Sequence, residues 1–267
     1  MPDLRHCLLA LLVAAACVLL SAAAVAHPED EFCVPGEGSL DPALCEALAA
    51  LDSADENARL RPILDEEGNV RGFWSTATLY VGIGIDHILP AGLDHILFVL
   101  ALFLTSTRLR PLVIQISAFT VAHTATLGLA AAGVISPPAG IVEPLIAATI
   151  AFVAIENVWV KDMPTWRPLV VFAFGLVHGL GFAGFFGELG LPPGQFWSAL
   201  IGFNVGVEIG QLSVVLLAFV LARGLRSRMQ PATREADYRR FVVVPISLAI
   251  GAIGAYWTLS RIIAQLG

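Results

Sequence analysis

Six long apolar stretches constrain the fold of this chain more than any other feature. They cover about residues 75–104, 111–132, 139–160, 168–187, 196–222 and 241–264. Each reaches the roughly 20 residues that an α-helix needs to cross the apolar core of a bilayer. The chain is only 14% charged, whereas soluble domains average about 25%. We therefore predict an all-α, polytopic membrane protein with six transmembrane helices in residues 74–267.

The first apolar stretch contains an interruption that a simple anchoring helix does not need. Asp86-His87 and Asp94-His95 lie on either side of Pro90. Because proline has no backbone N–H, it cannot donate to the carbonyl of Asp86, four residues earlier. An aspartate at the centre of a membrane helix costs about 2.5–3.5 kcal/mol on insertion scales. The stretch predicts a helix broken near Pro90 that carries a polar functional site. A re-entrant or interfacial segment with water-facing histidines is the alternative.

The N-terminal 26 residues have the pattern of a secretory signal peptide. An apolar run is followed by Ala-Val-Ala at residues 24–26, an A-x-A cleavage site. We predict cleavage after residue 26, with an uncleaved signal anchor as the alternative. Residues 27–73 then form an acidic extracytoplasmic segment. Because disulfides persist outside the cytoplasm, Cys33 and Cys45 are expected to be bridged.

The distribution of basic residues predicts the orientation of the helices. The loops after the first, third and fifth apolar stretches contain arginine or lysine, with six arginines between residues 223 and 240. The loops after the second and fourth stretches contain none. Basic loops stay in the cytoplasm. We therefore expect a protein of the bacterial inner (cytoplasmic) membrane whose N-terminal segment is extracytoplasmic, in agreement with a signal peptide.

Four polar residues of the apolar stretches fall 11 to 15 residues from the nearest cytoplasmic arginine. They are His95, His123, His178 and Glu208. At 1.5 Å per residue, their levels lie within about 6 Å of one another, near the middle of the membrane. We interpret these four and Asp94 as a metal site, with His87 and Asp86 as an outer relay. Each residue taken alone also fits a hydrogen-bonding role between packed helices.

Three further residues are candidates for the path of an ion. Asn204 shares a helix face with Glu208, and Glu143 and Glu156 lie near the two ends of the third stretch. Imidazole and carboxylate ligands together suit nickel, cobalt, zinc or Fe(II), and the lack of cysteine in these stretches argues against Cu(I). The sequence contains no phosphate-binding loop, nucleophile elbow or nucleic-acid-binding motif, so no nucleic acid partner is expected.

Five motifs together resemble one family of membrane proteins. They are GIGIDHILPAGLDHILFVL, AFTVAHTATL, VEPLIAATIAFVAIEN, FGLVHGLGFA and FNVGVEIGQL, within about residues 80–215. This combination resembles the HupE/UreJ group of bacterial membrane proteins, which is associated with nickel or cobalt uptake, often beside hydrogenase or urease genes. The resemblance implies metal-handling roles for His87, Asp94, His95 and His178. The nickel-permease pattern is close to His-Pro-x-x-Gly-x-Asp-His, and this chain has one residue more before Asp94.

The sequence predicts an inner-membrane permease for a divalent transition metal ion, nickel or cobalt first, with zinc or iron as alternatives. Two other functions fit the same residues. One is an intramembrane metalloenzyme with histidine-bound zinc or iron, and the other is an accessory protein that supplies metal to a metalloenzyme. No ATP-binding motif is present, so the membrane potential, a proton gradient or another subunit would drive transport. Expected partners are the metal ion, the lipid bilayer, and a second copy of the chain or a metalloenzyme maturation system.

Overall fold

The structure is a computed structural model that describes residues 69–90, 92–106, 108–160, 163–182 and 194–265. These residues belong to the second of two units in the chain, Pro62–Gly267. The predicted signal peptide, the Cys33–Cys45 disulfide and the extracytoplasmic segment up to residue 68 lie outside the described residues and stay predictions. Within the described ranges the chain is helical and has no β-strand.

Eight α-helices occur in these ranges. They are α1 (Phe73–Ile88), α2 (Leu93–Thr105), α3 (Leu109–Ala131), α4 (Ala139–Trp159), α5 (Arg167–Gly181), α6 (Phe196–Ser227), α7 (Arg234–Tyr238) and α8 (Val244–Ile263). A π-helical turn, Arg239–Val243, joins α7 to α8. Each apolar stretch of the sequence contains a helix, and the first stretch is divided between α1 and α2.

The division between α1 and α2 lies at Pro90, as the sequence predicts. α1 ends at Ile88, α2 begins at Leu93, and the two helices are bent by 73°. Gly92 donates its backbone N–H to the carbonyl of Ile88 at 3.2 Å, so the chain stays close to the end of α1. A Cβ added at Gly92 would lie 3.0 Å from the α-carbon of Ile88. This turn therefore requires glycine because a side chain has no room there.

Four helical segments of the described residues are long and apolar enough to cross a membrane: α3, α4, α6 and the continuous run Arg234–Ile263. The bent pair α1–α2 makes a fifth if it is one crossing. α5 is apolar but has 15 residues, which is about 22 Å and less than the roughly 30 Å apolar core of a bilayer. The described helices therefore do not reach the six expected crossings, because α5 is shorter than its sequence pattern predicts.

Three helix pairs make the most extensive contacts: α1 with α6, α3 with α5, and α4 with α8. Glycines permit the first of these contacts. A Cβ added at Gly206 of α6 would lie 2.9 Å from the α-carbon of Gly84 on α1. Small residues allow helix backbones to approach this closely. The contact fixes the C-terminal half of α1, and therefore His87, against α6.

Helix α2 is surrounded by other helices along most of its length. It contacts α4 and α6 most extensively, and also α1, α3 and α8. Eight of its 13 residues are buried, including His95 and Phe98. A helix that is apolar on all sides belongs in the interior of a protein. α2 therefore carries His95 into the centre of the helices.

Candidate metal site

The break between α1 and α2 brings two histidines together. His87 lies in the last turn of α1, and His95 lies in the first turn of α2. Their ring centroids are 4.9 Å apart. We expected His87 in an outer relay with Asp86, but the bend between the helices places His87 against His95 instead. Asp86 is exposed, whereas the ring of His87 lies against that of His95.

His123 on α3 completes a group of three histidines. One ring nitrogen from each of His87, His95 and His123 lies within 4.8 Å of the other two. His95 is 7% exposed and His123 is fully buried. The Nε2 atoms of all three are buried and have no hydrogen-bond partner among the described residues. A buried polar atom without a partner costs roughly 1–3 kcal/mol, so these three ring nitrogens are available to a ligand that would satisfy them.

His178 on α5 lies beside this group. Its ring centroid is 5.3 Å from that of His95, and its side chain is buried. Its Nε2 atom is 2.8 Å from the hydroxyl of Thr149 on α4. Its Nδ1 atom is buried and has no hydrogen-bond partner in the described part of the chain. His178 is outside the group of three, so it flanks the site and offers a fourth nitrogen.

Close packing of α3 against α5 places His123 and His178 at the same site. A Cβ added at Gly175 of α5 would lie 3.0 Å from the α-carbon of Phe119 on α3. A Cβ added at Gly179 would lie 3.0 Å from the carbonyl carbon of His123. The glycines before and after His178 therefore let the two helix backbones approach each other, which explains why the histidine is flanked by them in the sequence.

Two neighbouring side chains determine which nitrogens of His123 and His178 are available for a ligand. Asn204 donates its amide to a backbone carbonyl of α6, so its own oxygen accepts the Nδ1–H of His123 at 3.1 Å. Thr149 donates its hydroxyl to a backbone carbonyl of α4, so its oxygen accepts the Nε2–H of His178. A neutral imidazole has one N–H and one lone pair. The unpartnered Nε2 of His123 and Nδ1 of His178 therefore carry the lone pairs that a metal ion needs.

Aromatic rings enclose the histidines. Phe98, Phe119 and Phe203 are fully buried. Phe119 lies 5.0 Å from His178 between ring centroids, and Phe203 lies 5.5 Å from His87. These rings replace water around the cluster, and electrostatic interactions are stronger in such a dry environment. A cation bound there would interact mainly with the histidine nitrogens.

Asp94, which we expected at the site, is paired elsewhere. Its Oδ2 atom lies 3.0 Å from a guanidinium nitrogen of Arg261 on α8. Successive residues of an α-helix point about 100° apart. His95 therefore faces the other histidines, while Asp94 faces α8. The group of three histidines contains no carboxylate among the described residues, and a ligand role for Asp94 stays a prediction.

Glu208 is also outside the histidine group. It accepts hydrogen bonds from two hydroxyl groups of α3, those of Ser117, at 2.7 Å, and Thr120. It lies one helical turn after Asn204, which contacts His123. Glu208 is therefore close to the site along α6, but its carboxylate is held by α3.

The remaining two candidates lie at the ends of α4. Glu143 is exposed, and its backbone carbonyl accepts a hydrogen bond from Arg261 at 3.0 Å. Glu156 forms a buried ion pair with Arg167, with a nitrogen–oxygen distance of 3.1 Å. Arg167 also donates to Asn157 at 3.2 Å. Neither glutamate is in the group of three histidines.

The model of a protein family described as HupE / UreJ protein matches residues 65–261, which is well over half of the chain. The chain belongs to the HupE/UreJ family. The resemblance found in the sequence motifs is therefore confirmed. The HupE/UreJ match contains all four clustered or flanking histidines and ends at Arg261. No curated protein and no solved structure matches the chain.

Three residues that organise this HupE/UreJ protein were not singled out from its sequence. Thr149 resembles any threonine of an apolar helix, and Arg167 resembles any other basic residue of the loops between apolar stretches. Arg261 carried the clearer signal, because it lies near the end of the last stretch that the loop charges predict to be extracytoplasmic, where few basic residues are expected. A basic residue in that position suggests a buried or paired role.

Proposed function

We propose that the protein is an inner-membrane permease for a divalent transition metal ion, with nickel or cobalt as the first candidates. The observation that supports this most directly is the group of His87, His95 and His123, whose Nε2 atoms are buried and have no hydrogen-bond partner among the described residues. The HupE/UreJ family to which the chain belongs is generally linked to nickel or cobalt transport, or to metal supply for urease and hydrogenase.

The spacing of the three nitrogens suits an ion of this class. A tetrahedral ion with bonds of about 2.1 Å holds its ligands about 3.4 Å apart. Nitrogens that already lie within 4.8 Å of one another would need to move by roughly 1 Å to bind it. Imidazole is a good ligand for nickel, cobalt and zinc, and poor for calcium or magnesium. The cluster thus favours a transition metal over the more abundant divalent ions.

The positions of the carboxylates favour transport over permanent retention. The histidine group itself has no carboxylate among the described residues, so the positive charge of a bound ion is not neutralised by its ligands. In the proposed path, Asp94 attracts the ion at the outer side, and Glu208 receives it on the inner side. Glu156 lies further along, near the end of α4 that the basic loops place in the cytoplasm.

In the proposed topology the chain crosses the membrane six times. α1 and α2 together form one broken crossing, and α5 forms a short one. Its N-terminal segment is extracytoplasmic, following the charge bias of the loops. The driving force would come from the membrane potential, a proton gradient or another subunit. A second copy of the chain or a metalloenzyme maturation system is the proposed partner.

Uptake of radioactive metal into liposomes that contain the purified protein tests the proposal. We expect accumulation of nickel or cobalt above protein-free liposomes, and weaker accumulation of zinc and manganese. Metal that binds without accumulating would support a metal-supply protein instead. Chemical turnover by protein with retained metal would support an intramembrane metalloenzyme. Either result would overturn the permease proposal.

A further inference from the structure

A pocket of about 480 Å³ lies where α6 ends and α7 begins. It is lined by Arg223, Arg226, Ser227, Arg234 and Glu235, with Phe219 as an apolar wall. None of these residues belongs to the histidine site or to the carboxylates near it. The pocket therefore needs an explanation of its own.

The positive charge of this pocket is only partly neutralised. Arg226 pairs with Glu235 and lies over the ring of Tyr238, 4.9 Å from its centroid. Arg223 and Arg234 have no carboxylate partner among the described residues, and the Nε atom of Arg234 is buried without a hydrogen bond there. Two arginines thus face the pocket with donors that no side chain of the described chain uses, which favours an anionic ligand.

The surface next to the pocket is strongly apolar. In the two turns of α6 before Arg223, four aliphatic side chains are 58% to 62% exposed. They are Leu216, Leu217, Val220 and Leu221. On a membrane-spanning helix, an exposed apolar surface of this kind contacts acyl chains. The three arginines therefore lie where the acyl region ends and the headgroup region begins.

We propose that this pocket binds the headgroup phosphate of an anionic phospholipid, whose acyl chain lies along the exposed apolar face of α6. The planar guanidinium groups of Arg223 and Arg234 offer paired N–H donors that match phosphate oxygens. Basic pockets between membrane helices on the cytoplasmic side bind anionic lipid headgroups. The arginine distribution of the sequence places this end of α6 on that side. A free phosphate ion would use the same donors but would leave the apolar face uncovered.

Native mass spectrometry of the full-length protein in detergent, titrated with phosphatidylglycerol or phosphatidylcholine, tests the proposal. We expect wild-type protein to bind phosphatidylglycerol about tenfold more tightly. The double substitution Arg223→Gln with Arg234→Gln should remove this preference, whereas Arg108→Gln with Arg110→Gln, at the start of α3, should keep it. Equal binding of both lipids by wild type, or an unchanged preference in the first double variant, overturns the proposal.

Two further measurements on wild-type protein do not depend on the folding of a variant. A photoreactive phosphatidylglycerol in phosphatidylcholine vesicles should label the peptide of residues 219–235, and labelling confined to other peptides overturns the site. Millimolar inorganic phosphate should leave phosphatidylglycerol bound. Complete displacement by phosphate alone would show a free-anion site and overturn the lipid assignment.

Discussion

The carboxylate of Asp94 is bound by the guanidinium of Arg261, which also donates to the backbone carbonyl of Glu143. One arginine of α8 therefore holds the start of α2 and the start of α4. In the proposed path, a cation that reaches the histidines would pass a carboxylate that already has a positive partner. Arg261 would then compete with that cation for Asp94.

Substitution of Arg261 by Gln should tighten metal binding. The change removes a positive charge near the site and leaves Asp94 free to attract a cation. Partly exposed ion pairs are worth on the order of 1 kcal/mol, so the Kd for nickel should fall about fivefold. Isothermal titration calorimetry in detergent measures this, and Arg261→Lys, which keeps the charge, should behave like wild type. Weaker nickel binding by Arg261→Gln would contradict a competing role.

Loss of a clustered histidine should slow uptake strongly. His95→Ala removes the residue that contacts both His87 and His178, and His123→Ala removes the only ligand candidate on α3. We expect at least tenfold slower nickel uptake for each variant. Removing even a residue that only hydrogen-bonds to a metal ligand typically lowers metal affinity or activity by about 10–100-fold. Uptake is normalised to the protein present in the membrane.

The matched control for these histidines is Thr126→Ala. Thr126 lies one turn after His123 on α3, where its hydroxyl bonds to backbone carbonyls of its own helix. It should transport at nearly the wild-type rate. Histidine variants that also transport normally would show that the clustered rings are structural.

Asn204 should affect metal affinity through the ring of His123. Asn204→Leu removes the acceptor for the Nδ1–H, so the ring can place its proton on Nε2 and lose the lone pair for the ion. We expect nickel affinity to fall about tenfold or more. Asn204→Asp keeps an acceptor and should bind nickel at least as tightly as wild type. Nitrogen NMR of labelled histidine reads the tautomer directly, and an unchanged His123 tautomer in Asn204→Leu would contradict this account.

Gly206→Ala should destabilise the contact between α1 and α6. The new methyl group would meet the backbone of α1, and overpacking of this kind costs about 1–3 kcal/mol. The apparent Tm in detergent should fall by several degrees. Gly224→Ala is the control on the same helix, because a Cβ there meets nothing within 4 Å. The substitution Gly224→Ala should leave the Tm unchanged or raise it, because alanine favours a helix more than glycine does.

Glu156→Gln should destabilise the protein more than Glu143→Gln. The side chain of Arg167 is 2% exposed and that of Glu156 is 9% exposed, so the first change leaves a buried guanidinium without its carboxylate partner. Breaking a buried ion pair in this way costs about 3–5 kcal/mol. The side chain of Glu143 is at the surface, and its loss should have little effect. Thermal unfolding in the same detergent compares the two, and equal Tm values would contradict the structural importance of the pair.

The sequence predicted that the apolar stretches are helical and that several of their histidines lie at a similar depth. Long apolar runs specify helices by themselves, and Pro90 marks the break because proline cannot continue the hydrogen-bonding pattern. Counting residues from the basic loops predicts His95, His123 and His178 at one level, and the ring centroids of His123 and His178 lie 5.9 Å and 5.3 Å from that of His95. Helical rise is regular, so depth can be counted without knowing how helices pack.

The direction of each side chain could not be predicted in the same way. Depth along a helix does not reveal which neighbour a residue faces, so Asp94 was grouped with His95 although it faces Arg261. The sequence predicted a break near Pro90 but not the size of the bend, so it did not reveal that His87 lies against His95. The role of Thr149 depends on α4 and α5 packing side by side, a contact between residues 29 positions apart.

An ion bound by neutral imidazoles keeps its double charge, because the three-histidine group contains no carboxylate among the described residues. Each transport cycle would then move two positive charges across the membrane unless protons move the other way. A potential of 100 mV, negative inside, favours the inward movement of two charges by about 4.6 kcal/mol. In the proposed transport this contribution adds to that of any metal gradient, and uptake should appear as an inward electrical current.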